Sequence, residues 1–214
     1  SDLINSNCII LHCDKKYRPI GKTIRLNQIV HSDLFESQIK LQGKFSEQLW
    51  HKLLYAKISN YANLLDSANI NHTLWEFIKN NNLDESNTAR QYWSKYFSLY
   101  KKPPRTREHK DAKNPINQLL NYSYAVLTSI LHRSMIIHGF NTCFGICHKY
   151  RFKSEPLLYD LFEPLRPICD FLLLRFHLQN PDRKIEDWLK FVAGALINFR
   201  INTSQKKSIK LLYA

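Results

Sequence analysis

Glycine is scarce in this chain, with five in 214 residues, and no Gly-rich segment of the kind that cradles nucleotide phosphates is present. No run of about 18 apolar residues occurs, which excludes a spanning helix; the most apolar stretch, residues 171–174, is bracketed by Asp170 and Arg175. The N-terminal SDLINSNCII lacks the basic start, long apolar centre and small-residue cleavage site of a secretory signal, and a cytoplasmic protein is expected. Five cysteines without regular spacing argue for reduced thiols rather than a disulfide framework. Serine and cysteine nucleophiles have no recognisable arrangement, and there are no long repeats or low-complexity segments.

Acidic residues are also in deficit. There are 18 Asp and Glu against 31 Lys and Arg, a net charge of +13, and nucleic acid is the most frequent soluble partner of such a surface, ahead of an acidic membrane. Apolar residues make up 44% and aromatics 13%, enough for a globular core in one domain or one main domain with a small appendage.

In chain order, residues 7–13 read as a short strand and 21–26 as its hairpin partner, two strands too few for independent stability. Residues 27–43 read as a linker with a short helix near 34–39. A helix is expected over 46–65, its face carried by Leu49, Leu53, Ala56 and Leu64 with Trp50, Leu54 and Ile58 beside them. Thr73 to Glu76 has the pattern of a capping box before a short helix. The next helix, 84–100, places Glu85 at the head of an apolar stripe of Ala89, Tyr92, Trp93 and Tyr96; periodicity alone favours a first-turn carboxylate that complements the helix dipole. KKPPRTREHK, 101–110, reads as a basic connecting loop whose charges are either solvated or set against phosphates. Asn114 caps and Pro115 starts a long helix that Gly139 ends. Helices follow over 168–178 and 185–195, then a strand over 197–201 and a tail with Lys206, Lys207 and Lys210.

The stretch CFGICHKYRFKSEPLLYDLFEPLRPICD, 143–170, holds a histidine, two carboxylates and a basic-aromatic run. His148 alone is more often a structural residue, and the stripe Leu157, Leu161, Leu165, Ile168 and Leu172 leaves Glu163 near the solvated side. Pro164 and Pro167 cannot donate to the carbonyls of Asp160 and Glu163, so any helix here is distorted at its carboxylates. A Glu, Glu and His set suits Mg²⁺ or Mn²⁺, whereas Cys143, Cys147 and His148 raise a zinc alternative.

Three segments together resemble one family: Glu85-Ser-Asn-Thr-Ala-Arg-Gln-Tyr92-Trp93, Asn114-Pro-Ile-Asn-Gln-Leu-Leu-Asn-Tyr-Ser-Tyr124, and Gly145-Ile-Cys-His148 followed by Asp160-Leu-Phe-Glu163-Pro-Leu-Arg-Pro167. Their order and spacing resemble the CRISPR-associated integrase that inserts new spacers into a repeat array, in the branch that accompanies single-protein effectors. The resemblance implies a mainly α fold: the end of an N-terminal β domain over 1–30 and a helical catalytic domain over 31–214 that stops short of the family's last helix. It implies Glu85, His148 and Glu163 as ligands of Mg²⁺ or Mn²⁺, with Asp160 supporting them in the catalytic set; Ser86 departs from the small residue, often glycine, that the family carries there. The implied reaction is transesterification on double-stranded and branched DNA. The implied partners are a second copy of the chain and a small ferredoxin-like adaptation protein. Lys101, Lys102, Arg105, Arg107, Lys149, Arg151 and Arg166 are the expected phosphate contacts. The alternatives are a noncatalytic basic DNA-binding scaffold derived from that fold, or a zinc-stabilised nucleic-acid-binding domain.

Overall fold

The computed structural model describes residues 2–6, 8, 10–13, 19–23, 32–41, 43–109, 111–149, 155–179, 185–202 and 208–210. Its elements are α1 (Asp2–Asn5), β1 (Ile10–Cys13), β2 (Pro19–Thr23), α2 (Ser32–Lys40), α3 (Lys44–Ser67), α4 (Leu74–Lys79), α5 (Glu85–Phe97), α6 (Pro115–Ile137), α7 (Pro156–Phe162), a 3₁₀ turn (Glu163–Leu165), α8 (Arg166–Gln179), α9 (Ile185–Asn198), β3 (Arg200–Asn202) and β4 (Ser208–Lys210). The protein is mainly α, as expected. The strands form two separate antiparallel pairs, β1 with β2 and β3 with β4. The first is the predicted hairpin, but β2 begins at Pro19, earlier than the expected 21–26. Among the described residues, no helix is long and apolar enough to cross a membrane.

Two long helices organise the core. α3 packs on α4, α5, α7, the 3₁₀ turn and α8, while α6 packs on α7, α8 and α9. Between them lies one large apolar cluster that includes Tyr61, Leu65, Tyr92, Tyr96, Leu120 and Trp188. The buried face of α3 is Leu54, Lys57, Ile58, Tyr61, Ala62, Leu64 and Leu65. It is turned from the predicted one, since Leu49, Leu53 and Ala56 are only half-buried.

Both ends of α6 follow local chemistry, whereas the start of α4 does not. Asn114 Oδ1 accepts the Ile116 N–H at 2.9 Å with Pro115 as first helical residue. α6 ends in a Schellman arrangement in which Gly139, at φ 81°, donates to Ile136 O and Phe140 to Met135 O. The predicted capping box at Thr73 does not form: the Thr73 hydroxyl donates to Gln91 Oε1, and His72 Nδ1 takes the Leu74 N–H instead. Pro164 and Pro167 have the expected effect, because the chain tightens into the 3₁₀ turn between α7 and α8. The predicted strand over 197–201 is shorter, with 197 and 198 still in α9.

Candidate functional site

α5 starts where Asp84 Oδ1 accepts the Asn87 N–H at 2.9 Å, which makes Glu85 the first helical residue and points it toward α3. The dipole of α5 favours a carboxylate there, as periodicity suggested, but the side chain also has a specific partner. Lys57 of α3 donates to Glu85 Oε1 at 2.7 Å. The same Nζ stands 2.7 Å from Glu163 Oε2 on the 3₁₀ turn. Lys57 therefore joins two carboxylates that lie 78 residues apart in the chain.

Glu163 is not solvated. Its side chain is 6% exposed, and Arg166 closes its other oxygen, Oε1, at 2.9 Å. Burial pushes its pKa up, yet Arg166, Lys57 and His148 outweigh that and hold it below the usual carboxylate range. Burial likewise opposes the charge of Lys57, and Tyr61, Glu163 and Glu85 reverse the balance, so its pKa lies above the ordinary lysine value. Glu85 keeps 44% of its side chain exposed, so the centre opens to solvent on that side.

His148 arrives on the loop between α6 and α7. Asp160, fully buried in α7, takes four hydrogen bonds from that loop: Oδ2 accepts the N–H groups of Ile146 at 2.6 Å and Cys147 at 3.0 Å, and Oδ1 accepts the His148 N–H at 3.1 Å and its Nδ1 at 2.6 Å. With Nδ1 turned to the Asp160 carboxylate, Nε2 is the ring nitrogen left to face a ligand. Trp50 of α3 packs its edge against the imidazole, ring centroids 5.8 Å apart. Trp50 and Lys57 are seven residues apart on one face of α3, so one helix braces His148 and both glutamates. Gly145 has no room for a Cβ, which would run into the His148 carbonyl and the Pro156 side chain. Asp160 thus holds the loop and the histidine ring, in keeping with the supporting place expected for it.

Among the described residues, no three His, Cys, Asp or Glu side chains form a ready metal-holding cluster. Glu85 and Glu163 share one cation, Lys57, at 2.7 Å from each, and His148 lies within electrostatic reach of Glu163. The donor chemistry nevertheless fits a hard divalent ion: two carboxylates already converge on one positive charge at 2.7 Å each, and a buried carboxylate orients the histidine. Cys143 and Cys147 do not join His148 in a metal-holding cluster, and burial, followed by Asp160 and Glu85, raises the Cys147 thiol pKa.

The expected phosphate contacts divide. Lys101, Lys102, Arg105 and Lys149 are exposed. Arg107 turns inward: it donates to Asn117 Oδ1 at 3.1 Å and Asn121 Oδ1 at 2.6 Å and lies over the Trp93 and Tyr124 rings. Asn117 and Asn121, one turn apart on α6, fasten the basic loop through the carbonyls of Thr106, Glu108 and His109. Arg166 is also internal, paired with Glu163 and set over Phe162 and Tyr124. Both arginines are corrected from DNA contacts to structural residues; Arg151 lies outside the described residues. The site residue missed from sequence is Lys57, a lysine within an apolar helical face, and that misfit is the signal that marks it.

The fold and site define a class: mainly helical proteins in which a lysine gathers two carboxylates beside a carboxylate-oriented histidine. The chain belongs to the family described as CRISPR associated protein Cas1, which matches residues 1–187. The CRISPR-associated endonuclease Cas1 of Neisseria meningitidis serogroup C is 27% identical over 188 residues, 84% of this chain and 60% of that protein. One Cas1 of Saccharolobus solfataricus is 37% identical over 93 residues, 43% of this chain and 30% of that protein. The chain thus spans less than two thirds of the length of these relatives. In fold it is similar to a Cas1 protein from Thermotoga maritima, with a TM-score of 0.76 at 15% identity over 86% of this chain and 65% of that one. It is also similar to a casposase bound to its integration product, with a TM-score of 0.82 at 18% identity over 99% of this chain and 69% of that one.

Proposed function

We propose that this chain carries the catalytic centre of a metal-dependent DNA integrase and endonuclease that inserts spacer DNA into a CRISPR repeat array. The observation that carries the reading is the convergence of Glu85 and Glu163 on Lys57, with His148 held by Asp160 through Nδ1 on the neighbouring loop. Membership of the Cas1 family and the likeness of the fold to a casposase bound to an integration product support it.

Glu85, Glu163 and His148 would hold Mg²⁺ or Mn²⁺, which supplies Lewis-acid activation of an attacking hydroxyl and charge neutralisation at phosphate. The 3′ hydroxyl of one DNA end loses its proton to water and its oxygen bonds to phosphorus, while the bond from phosphorus to the leaving 3′ oxygen breaks and that oxygen takes a proton from water. The exchange conserves phosphodiester bonds, and water in place of the hydroxyl makes the same displacement a cleavage. Asp160 keeps His148 in one tautomer, and Arg166 holds Glu163 ionised despite its burial. Lys149, next to His148, and Lys101, Lys102 and Arg105 offer exposed charges that position DNA through its phosphates without reading bases. A second copy of this chain and a small ferredoxin-like protein belong to the same reading as assembly partners; one similar chain comes from a complex of Cas6-RT-Cas1 with Cas2.

The test is strand transfer with a labelled DNA end into a repeat-containing duplex in Mn²⁺. A 3′-hydroxyl end is expected to join and a 3′-deoxy end to fail. DNA binding without metal-dependent joining or cleavage overturns the reading in favour of a noncatalytic scaffold.

A further inference from the structure

Lys57 has two roles to choose between. Its side chain is 4% exposed, and it meets Glu85 Oε1 and Glu163 Oε2 at 2.7 Å each. A lysine this buried requires counter-charge, and its two counter-charges are two of the three side chains read above as metal ligands. One role is a structural tie among α3, α5 and the 3₁₀ turn. The other follows from where the ammonium stands. Carboxylate oxygens turned toward Lys57 are turned away from a second cation, and two cations drawn to the same oxygens repel each other strongly where water is excluded.

We infer that Lys57 is a positioning residue that competes with the divalent metal: it holds Glu85 and Glu163 together and keeps the metal affinity of the centre below what the carboxylates would have without it. The inference rests on the metal-centre reading of Glu85, His148 and Glu163. Arg166 does not play this part, because it pairs with the other oxygen of Glu163, on the side away from Lys57. The second counter-charge also explains how Lys57 stays ionised in the core, since Glu163 is itself buried and the two satisfy each other.

The two roles predict opposite metal behaviour. If Lys57 is only a tie, its loss loosens both glutamates and metal binding weakens or stays the same. If it competes, its loss leaves Glu85 without its partner and Glu163 with Arg166 alone, and metal binding tightens while the metal-free protein becomes less stable.

The experiment measures Mn²⁺ binding to the full chain by calorimetry and by the free-Mn²⁺ paramagnetic resonance signal. It compares wild type with Lys57→Met, Lys57→Arg, Glu163→Gln and the double variant Lys57→Met/Glu163→Gln, and thermal unfolding is recorded with and without Mn²⁺. Lys57→Gln, which keeps a hydrogen-bond donor, serves if Lys57→Met fails to fold. Removing the charge is expected to tighten Mn²⁺ binding by about tenfold or more and to enlarge the rise in melting temperature that Mn²⁺ produces. Lys57→Arg keeps the charge and stays within about threefold of wild type, and Glu163→Gln cancels the gain. Neutral variants that bind Mn²⁺ no more tightly than wild type, while Glu163→Gln alone still weakens binding, overturn the inference and leave the metal centre standing. Mn²⁺ binding that ignores Glu163 in every variant overturns the metal-centre reading and the inference with it.

Discussion

His148 and Asp160 meet at 2.6 Å, Nδ1 to Oδ1, and the same carboxylate also holds three backbone N–H groups of residues 146–148. One side chain thus sets both the path of the loop and the tautomer of its histidine. Asp160→Asn turns an acceptor into a donor that faces those amides. It is expected to lower strand transfer by about 10–100-fold, the range seen when a partner behind a ligating histidine is lost. It is also expected to lower stability by about 1–3 kcal/mol for a buried donor left unpaired. Denaturant unfolding beside the transfer assay measures both, and wild-type activity in Asp160→Asn would remove Asp160 from the positioning role.

Gly145 makes the close approach of that loop to α7 possible. In Gly145→Ala the new methyl meets the His148 carbonyl, Pro156 and Asp160 together, so the loop has to shift. The expected result is loss of transfer activity, accompanied by destabilisation of about 1–3 kcal/mol. Unfolding and activity measured on one preparation settle it, and a variant as active and as stable as wild type would contradict the packing.

Charge on the basic loop separates by direction. Substituting Lys101, Lys102 or Arg105 by Ala is expected to weaken DNA binding across sequences and to reduce the salt slope by about 0.9 for each phosphate no longer neutralised. Arg107→Ala strips partners from Asn117 and Asn121 and uncovers the Trp93 and Tyr124 rings. Its principal effect is on stability, with the salt slope unchanged. Binding titrations over a salt series distinguish the two groups, and a fall in slope for Arg107→Ala would return it to the DNA surface.

Asp170 gives the fold a pH dependence of its own. It is fully buried, and its pKa rises from 3.8 to about 6 because burial outweighs the hydrogen bonds from Tyr124 and Tyr92 and the charges of Arg107 and Arg166. Between these values the native state binds more protons than the unfolded chain, so this residue makes stability fall as pH rises from about 4 to about 6, by about 3 kcal/mol in all. Glu163, with its pKa lowered, acts in the opposite sense, its contribution being lost as pH falls. The difference between wild type and Asp170→Asn isolates the Asp170 part. Unfolding free energies at pH 4, 5, 6 and 7 are expected to diverge through that window and to run parallel if the assignment is wrong.

The architecture was largely legible because periodicity, Asn114, Pro115 and Gly139 speak locally. The three-segment resemblance singles out Glu85, His148 and Glu163, and the structure joins Glu85 and Glu163 through Lys57. Periodicity could not find Glu163 by itself, since it assumes one continuous helix and Pro164 breaks that helix at the residue in question. Lys57 is hard to see in the sequence because an apolar stripe shows what a helix buries and not the charge buried within it. Arg107 and Arg166 were misplaced for a related reason: charge counts carry no direction, and only the side-chain partners Asn117, Asn121 and Glu163 show that these guanidinium groups face inward. The failed capping box at Thr73 is a local contest, in which the hydroxyl finds Gln91 on another helix.

Whether Glu85 serves chemistry or packing is tested most directly by Glu85→Gln, because this side chain is 44% exposed whereas Glu163 is buried between Lys57 and Arg166. The measurement is the single-turnover rate of strand transfer in Mn²⁺ alongside the affinity for the same DNA. A catalytic Glu85 predicts a rate lower by about 100-fold or more, with affinity within about twofold of wild type. Transfer at the wild-type rate in Glu85→Gln would contradict it.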